Sequence, residues 1–221
     1  MAIPKALKRL GLRSTQEQTV ADFHRMYYDS NVYRRTFWRG VETQKCPLDM
    51  WIYQEILHEK RPDVIVETGT FSGGSAYYMA SLFDIFGGGR IITVDLEPQP
   101  NLPVHPRITY VSGMSSTAPE AVSKVKSMIR PGESVMVILD SDHSRNHVLD
   151  ELRIYAPMVT PDQYLIVEDT NVNGHPALPT FGPGPMEALD AYLLEDGSFE
   201  IDAGREKFFM TFNPRGYLKR R

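Results

Sequence analysis

The chain has 221 residues, 42% hydrophobic and 24% charged, with 24 Lys and Arg against 28 Asp and Glu for a net charge of −4. That is the composition of an ordinary soluble globule large enough for one full core, and its charge balance argues against a general nucleic-acid binder. Cys46 stands alone, which excludes a disulfide framework and suits a reducing cytoplasm; no apolar run nears the ~18 residues of a membrane span, and the N-terminus lacks the apolar stretch of a secretory signal. Basic residues gather at both ends (Lys5, Lys8, Arg9 and Arg13; Lys219, Arg220 and Arg221) without interleaved aromatics, the pattern of solvated termini.

In chain order, Thr15 to Tyr28 carries Val20, Phe23 and Tyr27 at helical spacing. An aromatic stretch with Tyr33, Phe37 and Trp38 follows, and Asp49 is placed to cap a helix carrying Trp51, Ile52, Ile56 and Leu57. Residues 1–60 therefore read as a helical cap over the mouth of a main domain at 61–221. From residue 63 the pattern alternates: strands are expected at 63–67, 90–95, 107–111, 135–140 and 163–168, with helices at 74–86, about 117–129 and about 144–156. Phe199–Asp202 and Lys207–Phe212, split by a short segment with Gly204, read as a hairpin. The expected fold is α/β and Rossmann-like: a seven-stranded, mostly parallel sheet with helices on both faces, closed by an antiparallel hairpin.

The first strand runs into Asp63-Val-Ile-Val-Glu-Thr-Gly-Thr-Phe-Ser-Gly-Gly-Ser75. Its E-x-G-x-x-x-G-G pattern differs from the G-x-G-x-x-G of dinucleotide enzymes, and no Lys–Ser/Thr pair makes it a phosphate-cradling loop. It suits S-adenosylmethionine, whose methionine end carries no phosphate. In such sheets ligands bind beyond the carboxyl ends of the strands. Asp95 ends the second strand, one βαβ unit after Glu67, where a carboxylate can accept from a ribose diol. Gly113-Met-Ser-Ser116, with Ser115, follows the third strand on the same rim.

Asp140 ends the fourth strand and Glu168-Asp169 the fifth. Three carboxylates brought together need a counter-cation, and all-oxygen ligation selects a hard ion such as Mg²⁺. Asp142 is an alternative to Asp140 as first ligand. His143 is placed to take the proton of a substrate hydroxyl, with His147 a weaker candidate. The loop from Asn171 to Pro185, rich in Pro and Gly, reads as a lid over the acceptor, with Asn171, Asn173 and His175 as contacts.

These residues resemble the Mg²⁺-dependent S-adenosylmethionine O-methyltransferases, and among them the cephalosporin-hydroxylase-like family, with macrocin and sugar O-methyltransferases as cousins. The resemblance covers roughly residues 35–220 and rests on Trp38-Arg-Gly-Val41, Cys46-Pro-Leu-Asp-Met-Trp-Ile-Tyr-Gln-Glu-Ile-Leu57, the glycine loop, Asp140-x-x-His143, Ile166-Val-Glu-Asp169 and Phe212-Asn-Pro-Arg-Gly-Tyr-Leu218. It implies that Glu67, Gly69, Thr70, Ser75 and Asp95 contact the cofactor, that Asp140, Glu168 and Asp169 hold Mg²⁺, and that His143 is the base. Catechol-type relatives carry Lys where His143 stands and Asp-Asn where Glu168-Asp169 stands. No 2-His-1-carboxylate set and no flavin or haem signature is visible, so oxygen activation has no apparatus. The expected reaction is methylation of a small-molecule hydroxyl, by a cytoplasmic homo-oligomer with no nucleic-acid or membrane partner. An accessory role beside a partner enzyme, and a lyase or pericyclic use of the same pocket, are the alternative readings.

Overall fold

The computed structural model describes residues 15–221, so Lys5, Lys8, Arg9, Arg13 and the first part of the expected cap lie outside the described residues. Helix α1 (Thr15–Asp29) leads through a 3₁₀ turn at Val32–Arg35 to a small hairpin of β1 (Phe37–Trp38) and β2 (Val41–Glu42). Arg39 and Gly40 make its two-residue turn, both at positive φ. Helix α2 (Pro47–Lys60) precedes the main alternation of β3 (Val64–Thr68), α3 (Gly74–Phe86), β4 (Arg90–Asp95), β5 (Ile108–Ser112), α4 (Pro119–Met128), β6 (Val135–Leu139), α5 (Arg145–Tyr155) and β7 (Tyr164–Val167). Helix α6 (Pro185–Glu195), β8 (Phe199–Ile201) and β9 (Tyr217–Arg220) complete the chain. No described helix is long and apolar enough to cross a membrane.

The central strands are apolar on both faces, and that requires a layer on each side. Val64, Val66, Val135 and Val137 turn to one face, against Ala121 and Val125 of α4, Leu152 of α5 and Leu189 of α6. Ile65, Met136, Ile138 and Ile166 turn to the other, against Ile52 and Ile56 of α2 and Met79 and Phe83 of α3. The seven strands lie in the order β5-β4-β3-β6-β7-β9-β8, parallel except for β9. The expected seven-stranded α/β fold is therefore the observed one.

Two local expectations change. The strand expected at Lys207–Phe212 is a loop, and β9 forms later and slots between β7 and β8. Residues 211–213 are engaged elsewhere: the Thr211 hydroxyl and the Phe212 amide donate to Asp49, at 2.5 and 2.8 Å. The Phe212 ring packs on Tyr28 and Tyr33, with centroids 5.2 Å away in each case. Asp49 is accordingly no cap. Cys46 precedes the helix, Pro47 opens it, and the buried Asp49 also accepts from the Tyr217 hydroxyl at 2.8 Å, tying α2 to the C-terminal strand.

Register sets the site. Thr68 pairs with Leu139 across β3 and β6, and Leu139 pairs with Val167 across β6 and β7. One residue further on, Gly69, Asp140 and Glu168 therefore emerge side by side. Here the strand order reverses, β3 running outward to β4 and β6 outward to β7, which is where open α/β sheets place their ligands.

Candidate active site

The glycine loop closes against protein backbone. Gly69 has φ +87°, and a Cβ there would stand 1.9 Å from the Asp140 carbonyl oxygen. A Cβ on Gly74 would stand 2.1 Å from the Glu42 carbonyl oxygen, so the β1–β2 hairpin sits directly on the start of α3. These glycines serve the close approach of one chain segment to another.

Glu67 lies beneath this loop, fully buried, accepting from the Ser75 hydroxyl at 2.6 Å and the Thr93 hydroxyl at 2.8 Å. Burial raises its pKa to about 7, against the pull of Lys45 and the two hydroxyls. A folded value above the ordinary 4.5 means that stability is full below that value and is lost as pH rises through about 7, by up to about 3 kcal/mol. Glu67→Gln removes the titration. Melting curves should show the wild type losing stability relative to the variant between about pH 5 and pH 8. Parallel curves would contradict this assignment.

Asp95 holds the loop from above. Its Oδ2 accepts from the amides of Thr70 (2.9 Å) and Phe71 (2.8 Å), and its Oδ1 from the amide of Glu97 (2.9 Å). A carboxylate offers about four acceptor directions, so little of Asp95 is left for a ribose. The Thr70 hydroxyl meets that of Thr93 at 2.8 Å.

Two cavities flank Gly69 and share it with Phe71, Asp140 and Ser141. One, of about 460 Å³, is lined by Asp95, Leu96, Ser115, Ser116 and His147. The other, of about 360 Å³, is lined by Thr70, Ser75, Lys45, His143 and Asp169, with Tyr28, Tyr33 and Phe181 also in its wall. Glu67 and Glu168 line neither. A larger cavity, of about 680 Å³, lies between α1 and the segments around His175 and Phe209; it touches none of the strand-end acids, so size does not mark the chemistry here.

The acid cluster forms at the Asp140 edge of the second cavity. Ligand atoms of Asp140, His143 and Asp169 lie within 4.8 Å of one another, the only such group of three among the described residues. His143 stands between the two carboxylates, Nε2 at 3.4 Å from Asp140 Oδ1 and Nδ1 at 3.3 Å from Asp169 Oδ2. The ion-pair distance to Asp140 is not a hydrogen bond, and Nε2 is a buried nitrogen without a hydrogen-bond partner. Burial disfavours the imidazolium, but Asp169 and Asp140 outweigh it and raise the pKa to about 9. Asp142 is exposed and accepts from the Ser144 amide at 2.7 Å, so Asp140 is the acid that joins the cluster.

Glu168 is directed elsewhere. It is buried, and its Oε1 accepts from the Tyr53 hydroxyl at 2.5 Å and pairs with Lys45 Nζ at 2.6 Å. Lys45 Nζ also donates to Asp140 Oδ2. Burial, then Asp140, pushes Glu168 above the usual glutamate range, yet two donors on one oxygen are the pattern of an ionised carboxylate. Burial works against the Lys45 charge, and Asp140 and Glu168 more than offset it, so its pKa is raised. The proton of the pair therefore belongs to the lysine.

His147 contacts Ser116 at 3.1 Å and Glu151 at 3.4 Å, away from the acids. The lid residues are engaged by other side chains of the protein. Asn171 bonds His24 at 2.9 Å, and Asn173 and His175 both reach Glu187 Oε1, at 3.1 and 2.8 Å. Leu178 and Phe181 are the loop residues that face the cavity. Sequence reasoning missed Lys45 and Tyr53, whose partners lie 95 and 115 positions away.

The family described as Rhamnosyl O-methyltransferase/CmcI matches residues 30–221. A Rhamnosyl O-methyltransferase of Mycobacterium bovis is 41% identical over 209 residues, spanning 90% of this chain and 84% of the relative. One from Mycobacterium leprae is 40% identical over 207 residues, spanning 90% of each. A solved structure of CmcI with Mg and S-adenosylmethionine superposes with a TM-score of 0.63 at 22% identity, spanning 85% of this chain and 77% of that one, a likeness of fold. On the length of the family match and the identity of these relatives, the chain belongs to the Rhamnosyl O-methyltransferase/CmcI family.

Proposed function

We propose that the protein transfers the methyl group of S-adenosylmethionine to a hydroxyl of a sugar-bearing small molecule, with Mg²⁺ at the strand-end acids. The observation that carries this reading is the meeting, at the sheet's switch point, of the glycine loop with the Asp140–His143–Asp169 cluster. Family membership supports the reaction class.

The two cavities divide the cofactor between them. Asp95, Ser115 and His147 surround the space suited to the adenosine end; Thr70 and Ser75 border the space suited to the methionine end. The donor set fits a hard cation: Asp140 and Asp169 point carboxylate oxygens at one small volume, with Glu168 adjoining through Lys45. Mg²⁺ bound there supplies a Lewis acid that lowers the pKa of an acceptor hydroxyl. The chain's own residues do the rest. Asp140 and Asp169 favour His143 as an imidazolium; with their charge offset by a bound cation, His143 would be neutral and able to accept the hydroxyl proton. Orientation of the acceptor oxygen in line with the sulfonium methyl provides most of the acceleration.

The exposed rings of Phe71 and Phe181, with the buried Tyr28 and Tyr33, give the second cavity an aromatic lining suited to the C–H face of a sugar. Residues 15–46, together with the 171–184 loop, serve in this reading as the cover of the site. The buried free thiol of Cys46 supports a reducing cytoplasm, and the exposed Phe23, Met26 and Phe37 support a homo-oligomer, which native mass spectrometry tests.

The reaction is tested with deuterated-methyl S-adenosylmethionine and a panel of rhamnosides, other glycosides and simple phenols. A glycoside product carrying one labelled methyl group, formed with Mg²⁺ and lost in chelator, is the expected result. Labelling of phenols alone would remove the sugar from the proposal, and labelling undiminished in chelator would remove the metal.

A further inference from the structure

Two side chains among the described residues each ion-pair with two of the strand-end acids: His143 with Asp140 and Asp169, and Lys45 with Asp140 and Glu168. Lys45 enters from the segment between β2 and α2, and both ends of that segment are fixed. The Thr43 amide donates to the Thr36 carbonyl at 2.9 Å, and the Cys46 carbonyl accepts from the first turn of α2 at 3.0 and 3.1 Å. The Lys45 side chain is 7% exposed, so it is held in place and is not a surface lysine that happens to fold over. Its ammonium engages Asp140 Oδ2 and Glu168 Oε1, in the wall of the cavity that His143 and Asp169 also line. Asp140 Oδ1 and Asp169 Oδ2 are the oxygens turned toward His143.

The geometry assigns Lys45 as a positioning residue: a resident counter-cation that fixes which carboxylate oxygens face the open side of the acid cluster and limits how tightly the cluster holds a divalent cation. This inference rests on the reading of the cluster as a Mg²⁺ site. Without Lys45, Asp140 would keep only His143 opposite it and Glu168 would lose its ion-pair partner, and the apo fold would bear their repulsion in a buried space. With it, the metal-free site stays folded and ordered, and an incoming dication meets a like charge across one carboxylate. A buried ammonium thus moves two properties in opposite directions: it raises apo stability and lowers metal affinity.

Lys45→Met keeps the stem and removes the charge. Titration calorimetry of the full chain with MgCl₂ should show affinity rising roughly tenfold or more. Melting in chelator should fall below the wild type, and the increase in Tm on adding Mg²⁺ should be larger in the variant. A lysine of purely structural value would lower both melts together and leave metal affinity unchanged or weaker. Lys45→Gln, prepared in Mg²⁺ and then titrated with chelator, is the second variant should Lys45→Met not fold; it should release Mg²⁺ at a higher chelator concentration than the wild type. If the wild type binds Mg²⁺ and the folded variants bind it equally or more weakly, the inference about Lys45 is overturned and the metal reading stands. If the wild type binds no Mg²⁺, both fall.

Discussion

Asp140→Asn should lower Mg²⁺-dependent turnover about a thousandfold or more while leaving S-adenosylmethionine affinity within a few-fold of the wild type. The magnitude follows from the several kcal/mol that a Lewis acid contributes to such a step, at about 1.4 kcal/mol per factor of ten. Asparagine keeps the shape and an acceptor for Lys45, so Glu168 and Lys45 stay paired and the fold persists. The charge facing His143 is halved, which weakens both the hold on a cation and the orientation of the imidazole. In the proposed pose the cofactor rests mainly on the glycine loop, which meets Asp140 through its backbone carbonyl, a group the substitution keeps. Steady-state kinetics with and without chelator, beside calorimetry with the cofactor, separate the two effects. Turnover above about a tenth of the wild type, and unaffected by chelator, would sink the assignment of Asp140.

Gly69→Ala should be the most damaging substitution in the loop. The added Cβ would meet the Asp140 carbonyl at 1.9 Å, and backbone at the end of a central strand has no room to yield. Overpacking and the positive φ of +87° together cost roughly 3 kcal/mol or more, and Tm should fall by about 10 °C. Separation of the loop from Asp140 should also weaken cofactor binding about a hundredfold, because both cavities share these residues. Gly132→Ala is the control. Its φ is +86°, with nothing within 4 Å of the new Cβ, so it bears only the torsional cost of about 1 kcal/mol. Equal losses in the two variants would show that backbone torsion, and not the approach of β3 to β6, explains the glycine.

The central parallel strands were legible because each is a short apolar run, rich in Val and Ile, that must be covered on both faces. Their carboxyl ends were legible because an acid or a glycine terminates each run. Asp140, Glu168 and Asp169 could be nominated together for that reason, with His143 beside them, and the register Thr68–Leu139–Val167 places the ends of these strands in one corner. Contacts between distant segments were not legible. Lys45 sits in a short polar segment whose local sequence gives no sign of carboxylates 95 residues away. Asp49 stands where a helix cap would, and only the fold reveals that its partners are Thr211, Phe212 and Tyr217. The last strand was set too early because Lys207–Phe212 has strand-like composition, while the Phe212 ring is used to hold α1 and the 3₁₀ turn. Asn171, Asn173 and His175 looked free to meet a substrate because polar loop residues usually are; Glu187 and His24 claim them first.

On this reading the acids ending β6 and β7 hold a divalent cation beside the methyl donor. Anomalous scattering from crystals grown with Mn²⁺ and S-adenosylhomocysteine addresses it most directly. The account predicts one strong metal peak bounded by the carboxylates of Asp140 and Asp169, next to a cofactor lying across Gly69. A peak elsewhere, or none at saturating Mn²⁺ with the cofactor in place, would contradict it.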